Sequence, residues 1–262
     1  MTTTPLDAAH AAMTAAPEDD AARLRYYALL ADGELFLLLE EEAEEGRVTP
    51  RLFPLEDGPV VLAFDTEDRL AAFTGAPVPY AALPGRVVAQ QLAGQGIGIG
   101  VNLGGADSAF LVPADAVDWL AETLAHAPVA AEARPVAFHA PGGLPEALLR
   151  ALDAKLVRAG GLAAAAVLAG VEYDDGRRGH MLAFLDAVPA AEGALARAAA
   201  EALTFSGIEA GEMDVTFLSA ADPAAAAIAR AGLRFDLPEP VRAEPPAPAA
   251  PGMDPDRPPK LR

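Results

Sequence analysis

The chain is 262 residues long and 52% hydrophobic, with no cysteine and 38 acidic against 19 basic side chains, a formal charge of −19. That apolar content suffices for a packed core and excludes wholesale disorder. The missing thiol excludes disulfides, thiolate catalysis and thiolate-bound metal centres. An acidic surface repels phosphate backbones and anionic lipid heads, so neither nucleic acid nor membrane is an expected partner, whereas a basic protein, a cation or a neutral small ligand stays open.

The N-terminal 25 residues carry no basic region followed by an apolar core, so no secretory signal is read there. The longest weakly apolar run, Leu162 to Val171, falls well short of the roughly 20 residues of a membrane helix. A cytoplasmic protein of one large domain or two small ones is expected.

In chain order, Thr4-Pro5-Leu6-Asp7 reads as an N-cap, a proline at the first helical position and an acid in the first turn. A second helix starts over Pro17 to Asp20, carries Leu24, Tyr27, Ala28 and Ala31 at helical spacing, and ends at Asp32-Gly33. Leu35 to Leu39 is an apolar run of strand length. It leads into the acidic stretch Glu40 to Arg47, which reads as solvated loop rather than a cation site. Arg51 to Leu55 and Val60 to Phe64 are strands around a turn at Asp57-Gly58-Pro59. Asp65 to Asp68 ends the second strand and caps a short helix through Phe73. Pro84 is expected at the first position of a helix ending near Gly94, and Pro113 opens an amphipathic helix with Val117, Leu120, Ala121 and Leu124 on one face.

The segment 125–135 lacks helical period and has prolines near both ends, which places a domain boundary there. Beyond it, Val136 to Phe138 is a strand, and Pro145 opens a helix with Leu148, Leu149, Leu152 and Leu156. Two strands, Leu162 to Glu172 and His180 to Val188, flank a hairpin turn. Ala190 to Leu203 is helix, Val215 to Leu218 strand, and Asp222-Pro223 opens a last helix ending at Gly232, with Phe235 in an extended piece. From Pro238 the chain is proline-rich with few large apolar residues, and a disordered tail is expected. The expected fold is therefore α+β, two small mixed domains over 1–126 and 135–237, each a sheet covered by helices, with a linker at 127–134 and a tail at 238–262.

The stretch Gly94 to Gly105 holds six glycines, at 94, 96, 98, 100, 104 and 105. The dinucleotide fingerprint needs glycines at relative positions 1, 3 and 6 between a strand and a helix, and no start satisfies all three; no Gly-Lys-Ser/Thr follows. What remains is alternation: Ile97, Ile99, Val101 and Leu103 on one face of a strand, and Gly96, Gly98, Gly100 and Asn102 on the other. A bare glycine face implies close packing of another backbone or helix, or a surface against which a partner lies. Phe110 to Val112 is expected to pair with this strand.

The order of these pieces resembles the SseB family. "LADGELFLLLE", "VVLAFDTEDRLAAFTG", "YAALPGRVVAQQL", the glycine-rich strand with Asn102-Leu103-Gly104-Gly105 and "FLVPADAVDWL" are similar to its N-terminal domain over roughly residues 20 to 125. "AAAAVLAGVE", "GHMLAFLDAV" and "DVTFLSA" resemble the layout of its C-terminal domain over 135 to 236. Two departures stand out. Phe64-Asp65-Thr66 replaces a family-like Phe-Thr-Ser, and the turn at Asn102 lacks its proline. The resemblance implies two α+β domains and brings no catalytic residues.

The remaining polar residues form no evident reaction centre. His10, His126, His139 and His180 have no metal-ligand spacing, and Ser108, Ser206 and Ser219 lack a G-x-S-x-G context. Asp174-Asp175 with His180 reads as a hairpin turn. No metal or cofactor is expected, and the chain reads as a non-enzymatic module that binds a protein partner through the bare strand face or an exposed sheet edge. The alternative is a regulatory domain binding a small molecule or cation, using Asp65, Thr66, Asn102, Gly104 and Gly105, polar and glycine positions gathered at strand ends. Capping accounts for Asp65 and Asp68 more simply. The oligomeric state stays open.

Overall fold

In a computed structural model, Thr4 opens the first helix, α1 (Pro5–Ala15), through a capping box: the Thr4 hydroxyl accepts from the Asp7 amide, and the Asp7 carboxylate accepts from the Thr4 amide. The structure describes residues 3–43, 48–104, 106–126, 128, 133–207 and 213–238. The tail from 239, most of the 127–134 linker, residues 44–47 of the acidic run, and Gly105 lie outside the described residues.

The N-terminal sheet contains β1 (Glu34–Leu38), β2 (Leu52–Leu55), β3 (Gly58–Phe64), β4 (Tyr80–Pro84), β5 (Gly98–Val101) and β6 (Phe110–Val112), in the order β4-β1-β3-β5-β6 with β2 also paired to β3. Its helices besides α1 are α2 (Asp20–Asp32), α3 (Glu67–Thr74), α4 (Gly85–Leu92) and α5 (Ala114–Ala125). Only β3 and β5 run parallel, joined by the crossover through α3, β4 and α4. β3 is apolar at every position from Val60 because both its faces are covered. Val61 and Ala63 face α1, α2, α4 and α5, while Val60, Leu62 and Phe64 face the cluster under α3.

The C-terminal sheet contains β7 (Pro135–His139), β8 (Ala165–Tyr173), β9 (Arg178–Leu185), β10 (Met213–Leu218) and β11 (Leu233–Asp236), with helices α6 (Glu146–Leu156), α7 (Glu192–Phe205) and α8 (Pro223–Ala231). The order is β10-β9-β8-β11, and β7 shares with β11 the edge of β8 that β9 leaves open. Ala166, Leu168, Leu182 and Phe184 face the leucines and alanines of α6 and α7, and Val167, Ala169, Val171 and Met181 face Ala225 and Ile228 of α8. The architecture is α+β in two sheet-and-helix parts. Their larger helix layers face each other, and Phe205 at the end of α7 is buried in the N-terminal core.

Two local expectations are corrected. Pro84 is not the first helical residue: it ends the strand β4 and caps α4, which begins at Gly85. The Tyr80–Pro84 strand is hidden in the sequence by its brevity and terminal proline. The alternating glycine strand is also shorter than its pattern. Gly94 and Gly96 have positive φ, and Asn102 ends the strand at φ 51°, so only Gly98 to Val101 pair. Leu103 consequently turns back over the glycine face: a Cβ at Gly100 would lie 2.6 Å from Leu103 Cδ1 and 2.8 Å from Leu62 Cδ2, and one at Gly98 would lie 2.6 Å from the Val112 carbonyl oxygen. The glycine face is filled by the chain itself and is no docking surface.

The tightest backbone approach in the N-terminal half is at Gly85. Its amide donates to the Gly33 carbonyl, and a Cβ there would come within 1.9 Å of the Leu30 carbonyl oxygen. Backbone cannot yield as a side chain can, so Gly85→Ala forces α4 away from the end of α2. We expect a loss of about 3 kcal/mol in urea unfolding of the full chain; a change under about 0.5 kcal/mol contradicts this packing.

Candidate functional site

Of the residues singled out at strand ends, Asp65 and Asn102 come together, and side chains remote in sequence complete their environment. Asn102 Oδ1 accepts from the Asp65 amide at 3.1 Å, and its Nδ2 donates to Ser108 Oγ at 3.1 Å. Arg69 projects from α3 between two carboxylates: Nη1 is 2.6 Å from Asp65 Oδ1 and Nη2 is 2.6 Å from Asp7 Oδ2. The Thr4 hydroxyl donates to Asp65 Oδ2 at 2.6 Å. Arg69, Asn102 and Ser108 are buried. The network therefore ties α1 to the strand ends of the sheet.

Thr66 does not join it, serving instead as N-cap of α3 by accepting from the Arg69 amide. Gly104, at φ 108°, packs against the Phe73 ring, where a Cβ would meet Cδ2 at 2.4 Å. Gly105 lies outside the described residues. A guanidinium thus fills the place a bound cation would take beside Asp65, and the Asp65 carboxylate is already engaged by Arg69 and Thr4.

Sequence reading gave Asp7 only as a first-turn acid and did not single out Arg69, because their meeting spans 62 positions. Burial alone would raise the Asp7 carboxyl, but hydrogen bonds from Arg69 and the Thr4 amide outweigh it and hold the group below the usual carboxylate range. The folded state thus binds this proton more weakly than the unfolded chain. The resulting stability is present in full above about pH 4 and is lost as pH falls further. Asp7→Asn should flatten the acid limb of the stability–pH curve below about pH 4. Arg69→Leu leaves two facing carboxylates and should cost about 3 kcal/mol at pH 7. Urea titrations across pH check both, and an unchanged acid limb in Asp7→Asn contradicts the assignment.

A second polar cluster lies where the two helix layers meet. Asp32 at the end of α2 and Arg86 of α4 belong to the N-terminal half, and Lys155 of α6 and Glu201 of α7 to the C-terminal half. They alternate in sign around a closed ring: Asp32–Arg86 at 2.5 Å, Arg86–Glu201 at 3.1 Å, Glu201–Lys155 at 2.5 Å and Lys155–Asp32 at 2.8 Å. Arg158 adds a hydrogen bond from Nη1 to the Asp32 carbonyl. Burial would raise Glu201, but hydrogen bonds from Arg86 and Lys155 prevail and lower it; Glu201 in turn raises Arg86. Phe205 lies beside the ring, with Lys155 Nζ 5.9 Å from its centroid and the Trp119 ring centroid 6.2 Å away.

Two cavities share Asp32 and Lys155 as lining residues. One, of about 360 Å³, runs between α1–α2 and α6–α7 and is lined mainly by alanines, with Arg25 and Arg150 among its charged residues. The other, of about 320 Å³, is lined by Arg86, Lys155, Arg158 and Arg197 over Leu162 and Leu195. Neither is lined by Asp65, Thr66 or Asn102. One sequence signal could have marked the ring: Lys155 and Lys260 are the only lysines in the chain.

His180 Nε2 lies 3.1 Å from the Gly142 carbonyl oxygen. No group of three or more His, Asp or Glu side chains suited to a metal ion occurs among the described residues, and no helix there is long and apolar enough to cross a membrane.

The N-terminal half is thus an α+β domain with a mixed sheet and helices on both faces. Residues 6–119, from within α1 to within α5, match the family model of the SseB protein N-terminal domain. Comparison with curated proteins and with solved structures finds no match.

The ring predicts coupled unfolding. Lys155→Ala leaves Asp32 and Glu201 sharing Arg86 across the seam, with an expected cost of about 3 kcal/mol. Calorimetry should show the melting transition broadened or split in two, because the seam loses more than either sheet does. A sharp single transition at the native temperature contradicts this role.

Proposed function

We infer that the chain is a non-enzymatic, cytoplasmic regulatory module that works by binding a protein, with the outer face of the N-terminal sheet as its docking surface. The supporting observation is how little covers that face. α3, only eight residues long, is its helix, and around it Phe36, Phe53, Phe73 and Tyr80 stand over the buried cluster of Leu38, Val60, Leu62, Phe64 and Leu70. Phe73 keeps 40% and Tyr80 38% of its surface exposed, and Leu111 emerges on the far side of Gly100 at 37%. Aromatic groups gathered on one surface mark protein contacts, because large rigid rings bury much area at little entropic cost.

The chemistry of the partner follows from charge. The chain carries −19, Glu67 accepts from the Tyr80 hydroxyl at the rim, and Glu40, Glu41 and Glu42 are exposed at the end of the β1 strand, so a basic partner with an apolar centre fits. The polar groups around Asp65 are engaged with one another, which favours a binding role over catalysis. The layout of the C-terminal half supports its reading as the SseB C-terminal domain. The acidic, cysteine-free composition supports the cytoplasmic location.

Affinity capture with the full chain at low salt should retain a basic protein. Phe73→Glu with Tyr80→Glu should weaken that retention about thirtyfold or more, whereas Val136→Glu on the C-terminal half leaves it intact. Equal retention by the Phe73/Tyr80 variant, with its melting temperature unchanged, overturns the reading.

A further inference from the structure

The cavity beside the charge ring has a local charge opposite to that of the whole chain. Four of its lining side chains are cationic and two anionic, in a molecule of net charge −19. The two carboxylates are fully used. Asp32 receives Arg86, Lys155 and Arg158, and Glu201 receives Arg86 through two hydrogen bonds of 3.1 Å as well as Lys155.

The cations are not used up. Arg158 spends Nη1 on the Asp32 carbonyl, with Asp32 Oδ2 3.7 Å away. Arg197 has no hydrogen bond or ion pair among the described residues, although it lines the same cavity. Below the two arginines the wall is apolar, formed by Leu162, Leu195 and Ala198. Its volume, about 320 Å³, sits at the small end of ligand sites, which span roughly 300–1,000 Å³.

We propose that this cavity binds a small organic anion, a carboxylate or phosphate monoester whose charged head lies between Arg158 and Arg197 and whose short apolar body rests on Leu162 and Leu195. A guanidinium offers a planar fork of donors that matches either head group. The apolar floor excludes water from one side of the contact and strengthens it. Because Asp32 and Arg86 of the N-terminal half line the cavity together with Arg158 and Arg197 of the C-terminal half, the bound anion lies beside the ring that joins the halves. The site is separate from the outer-face docking surface and stands or falls independently of it.

Calorimetric titration of the full chain with phenyl phosphate and with 3-methylbutanoate tests the site, with benzyl alcohol and 3-methylbutanamide as neutral controls. Saturable binding of either anion is expected, and the better of the two identifies the head group. Each of Arg158→Ala and Arg197→Ala should weaken it about tenfold, while Arg150→Ala, on the neighbouring cavity, leaves it unchanged. Three results overturn the proposal: no saturable heat with either anion below about 10 mM, neutral analogues binding as tightly as the anions, or native affinity retained when both arginines are replaced.

Discussion

The four-membered charge ring of Asp32, Arg86, Glu201 and Lys155 decides how the two halves of this protein sit together. Two of its contacts lie within a half and two cross the seam, so each of the four ions gains its second partner only when the halves meet. Removing buried charges from water costs several kcal/mol per ion, and their mutual attraction roughly offsets that cost. The ring therefore orients more than it stabilises. Apolar adhesion comes from Phe205, which leaves the C-terminal half to be buried in the N-terminal core near Trp119. Contacts of the two kinds lie side by side: Phe205 packs beside Lys155 of the ring, and the ring fixes the angle at which the plug enters.

The same arrangement sets where open space remains. α6 and α7 are rich in alanine, whose small side chain supports a helix but fills little volume. Two helix layers faced with alanine meet with gaps, and the gaps fall on either side of the Asp32–Lys155 pair. Net charge is a poor guide to the character of these gaps. At physiological ionic strength a charge is felt over about 8 Å, so the acidic exterior and the arginine-lined cavity are electrically separate environments. Composition argued for a basic, cationic or neutral partner. The exposed glutamates after β1 keep the sign of the whole chain, whereas inside the seam the local cations reverse it.

Each sheet is covered unequally, and the inequality has a physical origin. The inner faces carry several helices because two halves must present helix layers to each other. The outer faces carry α3 and α8, of eight and nine residues. On the C-terminal sheet Ala225 and Ile228 suffice, because the strand residues beneath include several small ones. On the N-terminal sheet the corresponding face bears phenylalanines and a tyrosine too large for one short helix to cover. Gly98 and Gly100 lower the floor there enough for Leu103 and Leu62 to fill it, which makes the glycine stretch an instrument of packing.

Much of the fold was legible in the sequence because it depends on local physics. Thr4, Thr66 and Asp222 announce helix starts through hydrogen bonds to amides two or three positions on. The spacing of Val117, Leu120, Ala121 and Leu124 reports one buried face, and Val60 to Phe64 reports a strand buried on both sides. The turn at Asn102 was legible as a place of interest but not in its role. Its carboxamide serves Asp65 and Ser108 only because Arg69 and Asp7 arrive from distant positions to complete the site. The short β4 strand was missed for a similar reason, since its pairing with β1 is specified across the sheet rather than by its own five residues. Sequence by itself determined the α+β class, most elements, their caps and the SseB-like order of the N-terminal half, all of which follow from contacts within a few residues. Tertiary structure alone decided the meeting of Asp32 with Lys155, the freedom of Arg197 and the filling of the glycine face. Those depend on which side chains long-range packing brings within a few ångströms, and no local pattern encodes that.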